Sequence, residues 1–446
     1  MKFLFDEFNE VTHHAWKSKI QTDLKGDDYS SLLWTSNEGL TVKPFYTKKD
    51  RTKLAINLPK EGFAICQTVN IKSEKEANYF ALDSLNRGAQ SLEFIADKPF
   101  DYKILLKNIS AKSQTLYFSF SFLCSTFTAK LADHLKTCNF YFNIDLIGKL
   151  ASTGRWCKSQ ELDYAEIKKL IKKSGNFLAV NACLYQNAGA NTVQQLAYAL
   201  AHANEYLNDF GGSISKRMYF KFSVGSNYFF EIAKLRAFRI LWSCLLTEYA
   251  IDNSVAHIFV QPSFRNKTLY DYNVNLLRTS SECLSAILGG ANTVSNISYD
   301  KLFNESNEFG QRISRNQLLI LQLESQLGEA QSIANGTYYI EALTEQLACQ
   351  SLEVFKQIEK AGGFVEQLKK GVIQRKIKES ANKEQQQFNK GICVLLGTNK
   401  IINQSDKMKD AIKVSLPKQA TYKTLIEPIL PKRLAEKLEQ QRLRDE

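Results

Sequence analysis

Nine cysteines and five histidines are the residues of this chain best suited to nucleophilic or metal chemistry, and their spacing argues against both. The cysteines are odd in number, none forms a C-x-x-C pair, and most sit among apolar neighbours, so they read as reduced thiols of a cytosolic protein. His13, His14, His134, His202 and His257 include no pair one helical turn apart and no Cys/His ligand cluster, so no metal site is expected. Glu341 and Glu345 would share a helix face, where such pairs ordinarily meet solvent. There is no phosphate-binding G-x-x-x-x-G-K-S/T loop, no G-x-G-x-x-G turn and no G-x-S-x-G nucleophile elbow. On these residues alone, the chemistry on offer is that of a barrel without an active site.

The elements that would position any such residue are strands alternating with amphipathic helices. Tyr219 to Val224 reads as a strand, and Gly225-Ser226 turns into a helix reaching about Leu246. His257 to Val260 is a second strand, followed by a helix from about Leu269 to Leu288. Val193, Leu196, Ala197, Leu200 and Leu207 make one face of a helix over Thr192 to Leu207, with Thr192 and Gln195 spaced as a capping box and Gly211-Gly212 closing it. A long helix from Tyr339 to Ala361 stops at Gly362-Gly363. Alternation sustained from about residue 49 to 398 predicts an α/β fold, a (β/α)8 TIM-type barrel. Residues 1–48 form an N-terminal extended arm. It has a short helix over Val11 to Asp23, and Trp16, Trp34, Phe45 and Tyr46 fasten it either to its own barrel or around a partner. Residues 399–446 form a C-terminal extension with Pro417, Pro428 and Pro431 and a charged helical tail.

The totals exclude several classes. A net charge of +12 invites nucleic-acid binding, but the basic residues are dispersed, and over Lys369 to Lys390 they alternate with Glu and Gln as on a solvated helix. No nucleic acid is therefore expected. A basic face would equally suit an acidic partner subunit or a polyanionic coenzyme. No apolar run approaches the roughly twenty residues of a membrane span. Met1 to Glu10, with Asp6, Glu7 and Glu10, lacks the marks of a secretory or organelle signal, which makes the cytoplasm the expected location.

Several segments resemble one family in order along nearly the whole chain. They are Asp23-Leu24-Lys25-Gly26, Leu33 to Gly39, Phe229-Phe230-Glu231-Ile232-Ala233-Lys234-Leu235-Arg236-Ala237, Asn275 to Thr279 with Leu288 to Ala291, Arg312 to Gln317, and Gly336 to Glu341. Together they are similar to the methylmalonyl-CoA mutase family. The resemblance implies a (β/α)8 barrel, lined by small side chains, that threads a CoA tail. It also implies a separate flavodoxin-like domain whose D-x-H-x-x-G histidine ligates the cobalt of adenosylcobalamin. The activity implied is interconversion of (R)-methylmalonyl-CoA and succinyl-CoA.

The departures bear on the role. No D-x-H-x-x-G occurs, Asp133-His134 having the wrong spacing, so no flavodoxin-like cobalamin-binding domain is expected. The family's I-R-Q-Y motif falls on Ile65-Cys66-Gln67-Thr68, with Thr68 in the place of the active-site tyrosine and Cys66 in that of the arginine. Its G-Y-H-M-Q-E-A-G-A motif falls on Ala182 to Ala190, with Leu184 replacing the histidine that bonds the thioester carbonyl; leucine can neither donate nor accept. The catalytic R-T-H-S-Q-T-S-G-W-S-L segment falls on His257 to Lys267, of which Gln261 and Ser263 survive. Asn143 to Gly148 with Thr153-Gly154-Arg155 resembles the small subunit of the family's bacterial heterodimers.

The resemblance thus implies a small, non-catalytic subunit, inactive alone, with no catalytic, cofactor-binding or metal residues of its own. It would stabilise a catalytic large subunit that carries the adenosylcobalamin. The alternative is the acyl-CoA-binding barrel of a split mutase, completed by a separate corrin-binding protein. That reading requires an open channel lined by Thr68 and Leu184. A CoA-responsive regulatory module is a third.

Overall fold

A computed structural model of the chain describes residues 6–9, 11–51, 55–110, 114–252, 255–414 and 423–446; the readings that involve Met1 to Phe5, Glu10 and Pro417 lie outside the described residues. Eight parallel strands close into a barrel in chain order: β1 (Ala64–Asn70), β2 (Ser91–Ala96), β3 (Thr115–Phe120), β4 (Asn139–Ile144), β5 (Asn176–Asn181), β6 (Met218–Val224), β7 (His257–Pro262) and β8 (Thr293–Ser295). The expected (β/α)8 barrel is the fold observed, and the described residues build no second α/β sheet. Alternate residues of a strand face opposite ways. One set, including Ile65, Leu92, Phe94, Phe118, Phe220 and Val260, is fully buried in the large core shared with the surrounding helices. The other set, Cys66, Tyr117, Ala179, Tyr219 and Phe259, forms a separate cluster inside the barrel wall.

Several element limits differ from the sequence reading for local reasons. The helix Thr192–Phe210 is capped by Asn191 rather than Thr192. Asn191 is extended (φ −73°, ψ 170°), its side chain accepts from Gln194 N at 2.9 Å, and Gln194 Oε1 accepts from Asn191 N at 3.1 Å. Gln195 is thereby freed for the interior, where it donates to Ala190 O at 2.8 Å. The helix expected from Leu269 begins only at Val274, because Asp271 turns through a positive φ (46°) before it. The long helices Tyr228–Glu248 and Tyr338–Lys360 fall close to their expected spans.

The arm docks on its own barrel. Trp34 meets the Phe230 ring edge-on at 5.9 Å, Tyr46 lies 5.1 Å from Tyr339, and Glu38 accepts from Thr192 N at 3.3 Å. Trp16 stacks on Phe45 within the arm at 4.9 Å.

Two features set the shape of the barrel's C-terminal mouth, the end at which barrel enzymes bind their ligands. The first is Asp145, which follows β4 and caps the helix Leu146–Thr153 by accepting from Gly148 N at 2.7 Å. Its carboxylate also accepts from Asn181 N at 2.8 Å and Tyr206 Oη at 2.9 Å, and lies 2.8 Å from His202 Nε2. Gly148 is required here, since a Cβ would stand 2.2 Å from Asp145 Oδ2. Burial pushes the Asp145 carboxyl up, but His202 and the two backbone N–H donors outweigh it and hold the group below the usual carboxylate range.

The second feature is a strap. Leu425 N donates to Gly154 O at 2.8 Å, Ile429 N to Ala151 O at 2.7 Å, Lys432 N to Asn187 O at 2.9 Å and Leu434 N to Arg265 O at 2.9 Å. Residues 425–434 thus tie the helix after β4 to the short helix Cys183–Ala188 after β5 and the loop after β7. The terminal helix Glu436–Asp445 anchors the strap through fully buried Glu439, which accepts from Leu269 N at 2.7 Å and Arg433 Nη1 at 2.5 Å.

Because the folded carboxyl lies below its unfolded value near 3.9, Asp145 contributes stability that is complete above that value and is lost as the pH falls through the folded one. Urea midpoints measured from neutral pH downward are expected to lose part of this acid dependence in Asp145→Asn. Asp145→Ala should cost about 3–5 kcal/mol, as removal of one partner of a buried charge network does. Gly154 has φ +75°, and a Cβ there would meet Ile426 O at 2.6 Å. Gly154→Ala should therefore lose about 1–2 kcal/mol, and limited proteolysis should cut within 425–434 faster while the helix content by circular dichroism is unchanged.

Candidate functional site

Side chains that meet across the barrel identify its interior. Tyr117 Oη on β3 lies 2.7 Å from His257 Nε2 on β7 and 2.7 Å from Thr293 Oγ1 on β8. The Tyr117 ring stacks on Tyr141 (5.3 Å), meets Phe259 edge-on (4.9 Å) and lies 5.6 Å from Tyr219; Tyr141 in turn stacks on His257 (4.3 Å). Tyr117, Tyr219 and Phe259 have no exposed surface. Five aromatic rings therefore fill the barrel axis in the N-terminal half of its strands. Burial, with Arg239 nearby, pushes His257 down to about 3, so its ring is neutral at physiological pH, and burial raises the Tyr117 phenol well above its ordinary value. Neither group is poised as an acid or base at neutral pH.

Above this aromatic layer sits a polar one. Lys221 on β6 donates to Glu93 Oε1 on β2 at 2.5 Å, across the barrel. Ser119 donates to the same oxygen at 2.8 Å, and Thr68 donates to Glu93 Oε2 at 3.2 Å. Thr68 also lies 3.1 Å from Ser295 Oγ, and Asn143 Nδ2 donates to Ser119 Oγ at 3.2 Å. The Lys221 ammonium stands 4.6 Å from the Phe259 ring centre, over its face. Burial pulls Lys221 down, but Glu93 more than reverses it and the ammonium ends above its ordinary value. A paired charge this deep is spent on its partner and is not available for proton transfer.

The residues singled out in the sequence are dispersed by this arrangement. Thr68 belongs to the polar layer, and Cys66 to the aromatic plug beneath it. Gln67 faces outward and accepts from Arg315 Nη1 at 2.9 Å. Leu184 lies at the mouth, in the wall of a cavity of about 420 Å³ that also holds Gln261 but not Thr68. Thr68 and Leu184 therefore do not share this cavity. Glu231, Lys234 and Gln186 form a helix-anchoring network: Lys234 donates to Ser223 O at 2.7 Å and Gln195 Oε1 at 3.0 Å and pairs with Glu231, while Glu231 Oε1 accepts from Gln186 at 2.9 Å and Gly225 N at 2.9 Å.

Sequence reasoning missed Glu93, Lys221 and Tyr117. The available signal was a single charge in the middle of each of two otherwise apolar strands, Leu92-Glu93-Phe94 and Phe220-Lys221-Phe222. A charge placed there must face inward and must find its opposite.

His13 and His14 stand in the first turn of the arm helix His13–Asp23. His134 closes the helix Ser125–His134, His202 is fully buried against Asp145 and Tyr185, and His257 belongs to the plug. No histidine lines the mouth cavity, which Pro431 of the strap borders. Among the described residues no group of three or more His, Cys, Asp or Glu is placed to hold a metal ion, and no helix is long and apolar enough to cross a membrane.

Comparison with known proteins agrees with this architecture. The methylmalonyl-CoA mutase small subunit of Porphyromonas gingivalis is 32% identical over 92% of this chain and 72% of its own length. The methylmalonyl-CoA mutase of Cereibacter sphaeroides is 26% identical over 86% of this chain, and the human mitochondrial methylmalonyl-CoA mutase 24% identical over 90%. The chain spans 64% and 62% of those two proteins respectively, less than two thirds of their length. A sequence profile described as methylmalonyl-CoA mutase matches residues 143–441, from the end of β4 through the strap and into the terminal helix. With that profile match and a 32% identical relative of which it spans 72%, the chain belongs to the methylmalonyl-CoA mutase family.

Proposed function

We propose that this chain is a small, non-catalytic subunit of an adenosylcobalamin-dependent methylmalonyl-CoA mutase. It stabilises a catalytic large subunit, which carries the cofactor and interconverts (R)-methylmalonyl-CoA and succinyl-CoA. The single observation that carries this reading is the filled barrel. A CoA tail needs an open axis, and here the axis is occupied by Tyr117, Tyr141, Tyr219 and Phe259 with His257 among them. Two further observations support it. Leu184 offers the thioester carbonyl no hydrogen bond, and the mouth residues do not fit a corrin, so no step through cobalamin is assigned to this chain. The plug also weighs against a split mutase barrel, which would need Thr68 and Leu184 on one open channel.

Purified alone and supplied with adenosylcobalamin, the chain is expected to give no succinyl-CoA from methylmalonyl-CoA. Co-expression with a large subunit from the same genome should give a stable pair whose activity decays faster without this chain. Turnover by the chain alone, or saturable binding of methylmalonyl-CoA to it, would falsify the reading. The polar layer gives a second check on its structural character. Lys221→Met should lower the unfolding free energy by about 3–5 kcal/mol, whereas Lys221→Met combined with Glu93→Leu should recover most of the loss. Neither change should alter the specific activity of an assembled pair.

A further inference from the structure

The cavity at the barrel mouth is lined by donor groups that the fold does not use up. Asn187, only 7% exposed, belongs to its wall. The Asn187 Oδ1 accepts from Phe264 N at 2.9 Å and from Ser263 Oγ at 2.8 Å. A backbone N–H can only donate, so the amide cannot be reversed and Nδ2 is fixed as a donor. That Nδ2 has no hydrogen-bond partner among the described residues, and it is not sealed from solvent. Lys149, on the helix Leu146–Thr153, lines the same cavity in a half-buried position. Its ammonium carries three protons, gives one to Ser121 O at 3.3 Å, and meets no carboxylate among the described residues.

The strap keeps the two donors within reach of one molecule. Ile429 N bonds Ala151 O on the helix of Lys149, and Lys432 N bonds Asn187 O. Three residues of extended chain, at most about 10 Å, therefore separate the two attachments, and Pro431 between them borders the cavity. The other charges of the lining are spent. Lys221 is paired with Glu93, and the Asp145 carboxylate is turned onto Gly148 N, Asn181 N, Tyr206 and His202. Phe120, Phe122, Leu123, Leu184 and Phe264 supply the apolar part of the wall, with Phe120 and Phe122 stacked at 4.9 Å. A volume of about 420 Å³ suits a small molecule, and the aromatic plug below bars anything that must thread the barrel.

We infer that the barrel mouth binds a small organic carboxylate with an apolar body, the carboxylate held by Lys149 and the Asn187 amide and the body by the phenylalanines. Both polar groups offer only protons there, which an anion with lone pairs and no proton to give accepts best. The paired Glu93 and Lys221 beneath neither attract nor repel it, so Lys149 decides the sign of the ligand. The inference does not rest on the proposed subunit role. It concerns a molecule without a CoA tail, and it stands or falls on binding to this chain alone.

3-Phenylpropanoate and 3-phenylpropanamide test it, since they match in shape while only the first is an anion. Titration calorimetry on the full chain should give the carboxylate an affinity in the millimolar range, with the amide at least about tenfold weaker. Lys149→Met keeps the length of the stem and removes the charge. It should weaken the carboxylate about tenfold, to the level of the amide, and leave the amide unchanged. Leu184→Trp, which fills the mouth from a half-buried position, should abolish binding of the carboxylate, with its unfolding midpoint checked alongside; if it does not fold, Lys149→Met keeps the test decisive. Equal affinity for the two probes, no heat with either at millimolar concentration, carboxylate binding unchanged by Lys149→Met, or carboxylate binding that survives Leu184→Trp would each overturn the proposal. The last two outcomes would mean that the probe binds elsewhere on a basic protein.

Discussion

One ion pair, Glu93 with Lys221, sets the terms for the inside of the barrel. Two opposite charges on strands β2 and β6 meet over a phenylalanine face with almost no access to water. Neither can be left alone there, because the desolvation penalty of each is met only by the other and by the hydroxyls around it. The consequences spread outward from that requirement. Ser119 and Thr68 must turn their protons toward Glu93, Asn143 must turn its amide toward Ser119, and the aromatic rings beneath complete a dry floor. A barrel that in this family is expected to hold a substrate along its axis instead holds its own side chains.

The legibility of this molecule in its sequence divides along that same wall. Elements whose pattern is set by an outward apolar face were readable: β6, β7 and the helices over Thr192–Phe210 and Tyr338–Lys360 all fall near their expected places. The capping of Thr192–Phe210 was misread by one residue. Asn191 and Gln194 satisfy the same spacing as Thr192 and Gln195, and only the extended backbone at Asn191 distinguishes the two. Inward residues were less legible because their partners are far apart in the chain. Glu93 and Lys221 are separated by 128 positions, and Tyr117 and Thr293 by 176, so no local window contains both members. The replacements at Thr68 and Leu184 were visible only through the family resemblance. That they lie at different depths, one in the polar layer and one at the mouth, could not be read from their spacing.

On the reading proposed above, scaffold and chemistry have parted company in a physically orderly way. The anchoring network of Glu231, Lys234, Gln186 and Gln195 joins two long helices to the end of β6, and it occupies one of the segments that most resemble the family. Such a network serves packing in any member, active or not. The strand interior, by contrast, serves substrate in an enzyme and only stability in a chain freed from turnover. Bulky rings and a saturated charge pair are what stability alone would favour, since a well-packed barrel axis removes a cavity that would otherwise weaken the fold.

The strap over the mouth adds a consequence in time. Its bonds to Ala151, Gly154, Asn187 and Arg265 join positions separated by about 170 to 280 residues of chain, and β1 to β8 are all synthesised before its first residue. The strap contacts at the mouth can form only after residues 425–434 have been made. Until then the loops after β4, β5 and β7 are held by their own contacts alone. The order of synthesis thus makes these the last contacts of the barrel mouth to be put in place.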